Sequence, residues 1–192
     1  MRLKPEDKEK VRQRILASAA AAFRARGIEA VTLDDLMKGA ALTRGAFYAH
    51  FPSKGALVAD VLEHEHPLLH MLTARAGPSP EALWSQMAEV FAGYLAPGNL
   101  GQVHPGCTLA SLTGDAARGG AEHRRAYAAA LHRIASEMAR GLDATPEALL
   151  PALVTAAGAV NTAQACADAA MQAVILDGAH AQVRAILKTV RP

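Results

Sequence analysis

Between Thr32 and Lys54 the chain reads TLDDLMKGAALTRGAFYAHFPSK, and this stretch restricts the fold most tightly. It reads as two short helices joined by a tight turn. Thr32 followed three residues later by Asp35 is a capping-box spacing, and Leu36 and Met37 fall on the apolar side of the helix it opens. Thr43 is placed to cap a second helix over 44–50. At ~1.5 Å per residue that helix is about 10 Å long, which suits a major groove roughly 12 Å wide. Ala46 and Phe47 can face a core, while Thr43, Arg44, Gly45, Tyr48 and His50 offer polar atoms or a close backbone approach. Ser53 caps the next helix, whose N-terminus, with Lys54 beside it, is a ready phosphate site.

The run TRGAFYAHFPSK, preceded by a capped helix and a turn, resembles the helix-turn-helix of the TetR family of transcriptional regulators over about the first 60 residues. The resemblance implies an all-α protein. An N-terminal three-helix helix-turn-helix DNA-binding domain would occupy 1–53, and a C-terminal helical ligand-binding and dimerisation domain 54–192. It also implies a repressor that binds palindromic operator DNA as a homodimer and is released by a small-molecule inducer. Matched to the family's motif, Thr32, Tyr48 and Lys54 take the places of phosphate contacts. Thr43, Arg44, Gly45 and His50 occupy positions that approach bases or the adjoining backbone. Met37 and Ala41 depart from the family's LAxxAGV, which has Ala and Gly there; an Ala at the turn is disfavoured if its φ is positive.

The 192 residues suffice for one medium domain or for a small domain joined to a larger one. No apolar run approaches the ~18 residues of a membrane helix, and the opening MRLKPEDKEK lacks the apolar core of a signal peptide. A cytoplasmic protein without a membrane partner is the expectation. The net charge of +2 hides an asymmetry. Residues 1–60 hold 11 Lys and Arg against 7 Asp and Glu, a balance of +4, and the rest hold 9 against 11, a balance of −2. Positive charge therefore accompanies the candidate reading head, where it can replace counterions along phosphate. Lys4, Lys8 and Lys10 fit a solvated helix face, or a basic arm that reaches a neighbouring phosphate.

Along the chain, Val11, Ile15, Ala19, Ala22 and Phe23 recur at helical spacing over 6–26, and Gly27 ends that helix. A longer helix is expected from Lys54 to about Thr73, kinked at Pro67. Ser79 and Pro80 open another that carries Trp84, Met87, Phe91 and Tyr94. These four, with Cys107 and Tyr127, are the candidate ligand-binding residues: an apolar wall with polar handles, or plain core. Cys107 lies near a predicted helix start with His104 upstream. A thiol so placed can be a low-pKa sensor of electrophiles or oxidants, as in one TetR subgroup, or a small packed residue.

A helix over about 121–141 follows, with Tyr127, Leu131, Ile134 and Met138 inward. The next, from Thr145 and Pro146 to about Met171, is dense in Ala and Gly, and a last helix is expected over 179–190. Together these last two resemble the family's dimer interface, with intrachain packing as the competing reading. Cys166 falls in the middle of the small-residue helix and is expected to be buried and unreactive.

Enzymatic function is the rival class. Glu63 and His66 have a Glu-x-x-His spacing, but only Asp177 and His180 come near a second pair, and a di-iron bundle needs two. No GxSxG, Gly-rich phosphate loop or His-Glu-x-x-His occurs. No catalytic residue, metal site or cofactor is expected.

Overall fold

A computed structural model of the chain describes residues 5–100 and 107–192. His104, Lys4 and the stretch leading into Cys107 lie outside the described residues. All regular structure among the described residues is helical. Helix α1 spans Pro5–Arg26, α2 Leu33–Gly39, α3 Arg44–Tyr48 and α4 Lys54–His64. Then come α5 Pro67–Thr73, α6 Pro80–Tyr94, α7 Thr108–Ser111, α8 Thr113–Arg118, α9 Ala121–Ala139, α10 Pro146–Gln164 and α11 Ala169–Thr189.

Helix starts follow cap chemistry. Ser53, Ser79 and Thr145 accept from the backbone N–H of Ala56, Ala82 and Ala148, each satisfying a donor that the first turn leaves without an intrahelical partner. Ends and joints differ from the sequence expectation in three places. The span 54–73 is two helices rather than one kinked helix. His66, extended at φ −121° and ψ 105°, precedes Pro67, the first residue of α5. The proline ring disfavours helical geometry in the residue before it, so the chain breaks instead of bending. Helix α10 ends at Gln164, and α11 begins at Ala169, ten residues earlier than expected, because Asp168 caps it by accepting from the Ala170 N–H. Helix α3 stops at Tyr48, two residues short, with the His50 and Phe51 amides both donating to the Phe47 carbonyl.

Two apolar cores result. Ile15, Leu16, Ala19, Phe23, Leu36, Met37, Phe47 and Phe51 pack with Leu57, Val58, Val61 and Leu62 of α4, and Leu112, Ala116 and Ala126 join them. The second core gathers Leu68, Leu72, Met87, Phe91, Leu109, Ile134 and Met138 with the inward faces of α10 and α11. Full burial of each large side chain stabilises by about 1.5–3 kcal/mol, so neither core depends on one residue. His66, fully buried, sits at the break between Leu62 of the first core and Leu68 of the second. Arg75, also buried, donates to the carbonyls of Leu72, Leu83, Glu137 and Met138, tying the ends of α5 and α9 to α6.

Candidate nucleic-acid interface and effector core

The reading head is built on the Thr32 capping box, in which the Thr32 hydroxyl accepts from the Asp35 N–H at 3.2 Å and the Asp35 carboxylate accepts from the Thr32 N–H at 3.0 Å. Hydrogen bonds donated to the Asp35 carboxylate by the Thr32 amide, and at 2.9 Å by the Thr32 hydroxyl, hold its pKa below the ordinary value, with Arg26 adding to the effect. The turn from α2 to α3 closes through Ala41, whose φ of 54° is the one positive value at a non-glycine among the described residues. Its amide donates to the Lys38 carbonyl, and the Leu42 amide to that of Met37. The departure from the family's Gly therefore falls at a left-handed position.

Phe47 anchors α3 from below, its ring edge-on to Tyr48 at 5.2 Å and stacked with Phe51 at 5.7 Å. That anchorage leaves Thr43, Arg44, Gly45 and Tyr48 exposed, Tyr48 by 63%. Thr43 is the N-cap by backbone geometry only, since its side chain makes no cap hydrogen bond; the hydroxyl is not committed to the helix. Arg44 is gripped by Asp34 of α2, a residue that sequence reasoning passes over because an acid in a first turn is ordinary helix chemistry.

His50 does not share this face. With Arg12, Phe51, Pro52, Asp60 and Glu63 it lines a groove of about 530 Å³ closed on the far side by α9. Its Nδ1 is buried without a hydrogen-bond partner, and burial, then Lys8 and Arg12, lower its pKa. Lys54 is half-buried and turns one donor inward, to the Ile28 carbonyl at 2.7 Å, with Phe23 6.0 Å away. An ammonium carries three donors, so two are left.

Of the candidate ligand residues, Met87, Phe91 and Cys107 are buried in the second core, with Tyr94 and Tyr127 packed against it. The Tyr94 ring meets Phe91 edge-on at 6.5 Å. Its hydroxyl is buried and lacks a hydrogen bond of ordinary geometry, yet lies beside the Cys107 thiol, and burial pushes its pKa well up. Tyr127 donates to the Leu109 carbonyl at 2.9 Å and lies 3.0 Å from the Thr113 hydroxyl. Trp84, in the second turn of α6, is half-buried and also packs against this core, its indole donating to the Leu187 carbonyl and covered by Arg191.

Cys107 takes the packed-residue reading, whereas Cys166 departs from the expectation of burial. Cys107 is buried, and desolvation raises its pKa; the Tyr94 hydroxyl and the Ala110 and Leu109 amides offset only part of this. Cys166 lies beyond the end of α10, half-exposed. The small-residue helix is likewise divided: Ala152, Ala156, Ala157 and Ala163 are buried, whereas Gly158 and Val154 are exposed.

Residues 15–61 match the model of the bacterial regulatory proteins, tetR family. Over this stretch the chain is similar to the TetR family. It is 38% identical over 78 residues to the probable HTH-type transcriptional regulator ArpR of Pseudomonas putida, covering 41% of this chain and 37% of that protein. To the HTH-type transcriptional regulator TtgR, also of Pseudomonas putida, it is 38% identical over 76 residues, 40% of this chain and 36% of that one. These matches thus span little more than a third of either relative's length. Beyond the TetR domain the likeness is one of fold. The reduced form of E. coli NemR superposes with a TM-score of 0.71 at 18% identity, covering 92% of this chain and 96% of that one. A TetR-family regulator from Streptomyces coelicolor superposes at 0.65 with 19% identity, covering 96% and 97%.

Proposed function

We propose that the protein is a repressor that binds a palindromic operator as a homodimer and is released by a small apolar inducer. The observation that carries the DNA-binding part is the exposed set Thr43, Arg44, Gly45 and Tyr48 on a helix locked in place by Phe47. In this reading residues 1–53 read the duplex, and 54–192 bind the inducer and pair the protomers. A five-residue recognition helix reaches too few base edges to select a genomic site, so two copies about one helical turn apart, ~34 Å, are required.

Support for pairing comes from Val154, Met171 and Val174, exposed by 55, 50 and 69%. Met171 and Val174 continue on α11 through exposed Gly178, Ala181 and Ala185 at steps of four, three and four residues, an apolar stripe left uncovered by the described residues. Inducer binding is supported by the Tyr94 hydroxyl, a buried polar group within an apolar core whose one neighbour of note is the weakly bonding Cys107 thiol. The electrophile-sensor alternative through Cys107 is disfavoured by the burial of that thiol.

The test is selection from a random duplex pool followed by anisotropy titration at fixed salt. A two-fold symmetric winning sequence bound by a dimer is the expected result. Equal affinity for winner and random duplex removes the regulator reading. A Val174→Glu variant that remains dimeric by light scattering removes the α10–α11 interface.

A further inference from the structure

The carboxylate of Asp34 meets Arg44 with both oxygens, Oδ1 at 2.5 Å from Nε and Oδ2 at 2.9 Å from Nη2. The two residues belong to different helices, on either side of the Ala41 turn, and both side chains are about two-thirds exposed. A guanidinium is a rigid fork of five N–H groups. Asp34 takes the edge formed by Nε and one N–H of Nη2. What remains includes the parallel pair at the tip, one N–H on each Nη, and this pair matches the O6 and N7 acceptors of guanine.

Resting on the DNA-binding reading, we infer that Asp34 is a specificity-determining residue: it holds Arg44 side-on so that the guanidinium tip is presented to a guanine edge. An unrestrained arginine samples many rotamers and reaches phosphate as readily as base. Tethered along one edge, its tip has fewer directions to take. In free solution such an exposed pair contributes little. Against a duplex, with water excluded, the same contact strengthens while the carboxylate repels nearby phosphates. Asp34 therefore lowers affinity for DNA in general and confines Arg44 to the base.

The experiment compares wild type, Asp34→Ala, Arg44→Ala and the double variant on the selected duplex, on the same duplex with each guanine replaced in turn, and on random duplex. The guanine read by Arg44 is the one whose replacement no longer matters in Arg44→Ala. At that guanine Asp34→Ala should lose discrimination by about five- to tenfold, a part of what one bidentate base contact supplies. Its affinity for random duplex should be unchanged or higher, and the loss should be absent in the Arg44→Ala background. Asp34 also complements the N-terminus of α2, so melting temperatures are read in parallel, and Asp34→Asn replaces the Ala variant if that one is poorly folded.

Full discrimination in the folded Asp34 variant, or an equal loss without Arg44, overturns the inference and leaves DNA binding standing. A wild type that fails to distinguish selected from random duplex overturns the proposed function itself, and this inference with it.

Discussion

Arg24, near the end of α1, donates to the Thr108 hydroxyl 3.1 Å away. That hydroxyl in turn donates to the Glu65 carbonyl at the break between α4 and α5. One side chain at the start of α7 thus ties the reading head to the joint between the two cores, next to Cys107. Four residues beyond Arg24 the Ile28 amide donates to the Asp115 carboxylate at 3.1 Å, a second tie that joins the turn after α1 to α8. Burial weighs against the Arg24 charge, and the Glu65 carboxylate offsets part of that. Thr108→Val keeps the shape and removes both hydrogen bonds, so it should destabilise by about 1–3 kcal/mol in urea unfolding, with Thr108→Ser retaining most of the stability. A valine variant indistinguishable from wild type would show that the hydroxyl ties nothing together.

Ala41 offers a prediction of opposite sign. An L-residue in the left-handed region costs roughly 1–2 kcal/mol, and a glycine there costs somewhat less than about 1 kcal/mol in unfolded-state entropy. Ala41→Gly should therefore stabilise the protein by about 0.5–1 kcal/mol, read as a rise in melting temperature. An unchanged or lower melting temperature would mean that the methyl group makes compensating contacts.

The contrast between what the sequence discloses and what it hides follows the range of the chemistry involved. Thr32, Ser53, Ser79 and Thr145 are legible as caps because a cap bonds an amide two or three residues away. The positive φ at Ala41 is legible as a conditional, from the place where glycine is usual. The end of α10 is not, since AQACADAA contains neither Gly nor Pro and only the short side chain of Asp168 marks the restart. The break at His66 reads as a kink in the sequence, whereas in the fold the ring's effect on the preceding residue outweighs its effect on the preceding turn. His50 carries the residue type of a base reader, yet the early end of α3 turns it into the groove. Arg24 and Thr108 are 84 residues apart, and no periodicity relates them.

The thiols give a chemical test of the second core. A thiol must ionise to react, and burial works against ionisation of Cys107, whereas Cys166 is partly open to solvent, its thiol meeting the Thr162 carbonyl at 3.4 Å. Iodoacetamide at neutral pH should therefore label Cys166 well before Cys107, as mass spectrometry of a time course will show. Urea just below the unfolding midpoint should bring the two rates together. Native labelling that starts at Cys107 would restore the thiolate-sensor reading.

His66 makes stability depend on pH. It is fully buried, its Nε2 pairs with the Leu62 carbonyl at 2.8 Å, its Nδ1 has no partner, and its pKa is lowered to about 4. Burial is the main cause. Arg133 of α9, Arg24 of α1 and His64 of α4 add repulsion, and only the hydrogen bond to Leu62 opposes them. In the unfolded chain the imidazole titrates near 6.5, so between about 6.5 and about 4 the unfolded state binds a proton that the folded state refuses. Stability from this residue is complete above about 6.5 and is lost as pH falls toward about 4, by up to roughly 3 kcal/mol. Because His66 sits at the joint between the two cores, the loss should appear first as loosening of α4 from α5, seen as faster amide exchange around residues 64–70 at about pH 5 than at about pH 7. His66→Met removes the titration while retaining an apolar filling, so its unfolding free energy should fall less steeply over that range. Equal slopes for variant and wild type would place the acid sensitivity in the carboxylates instead.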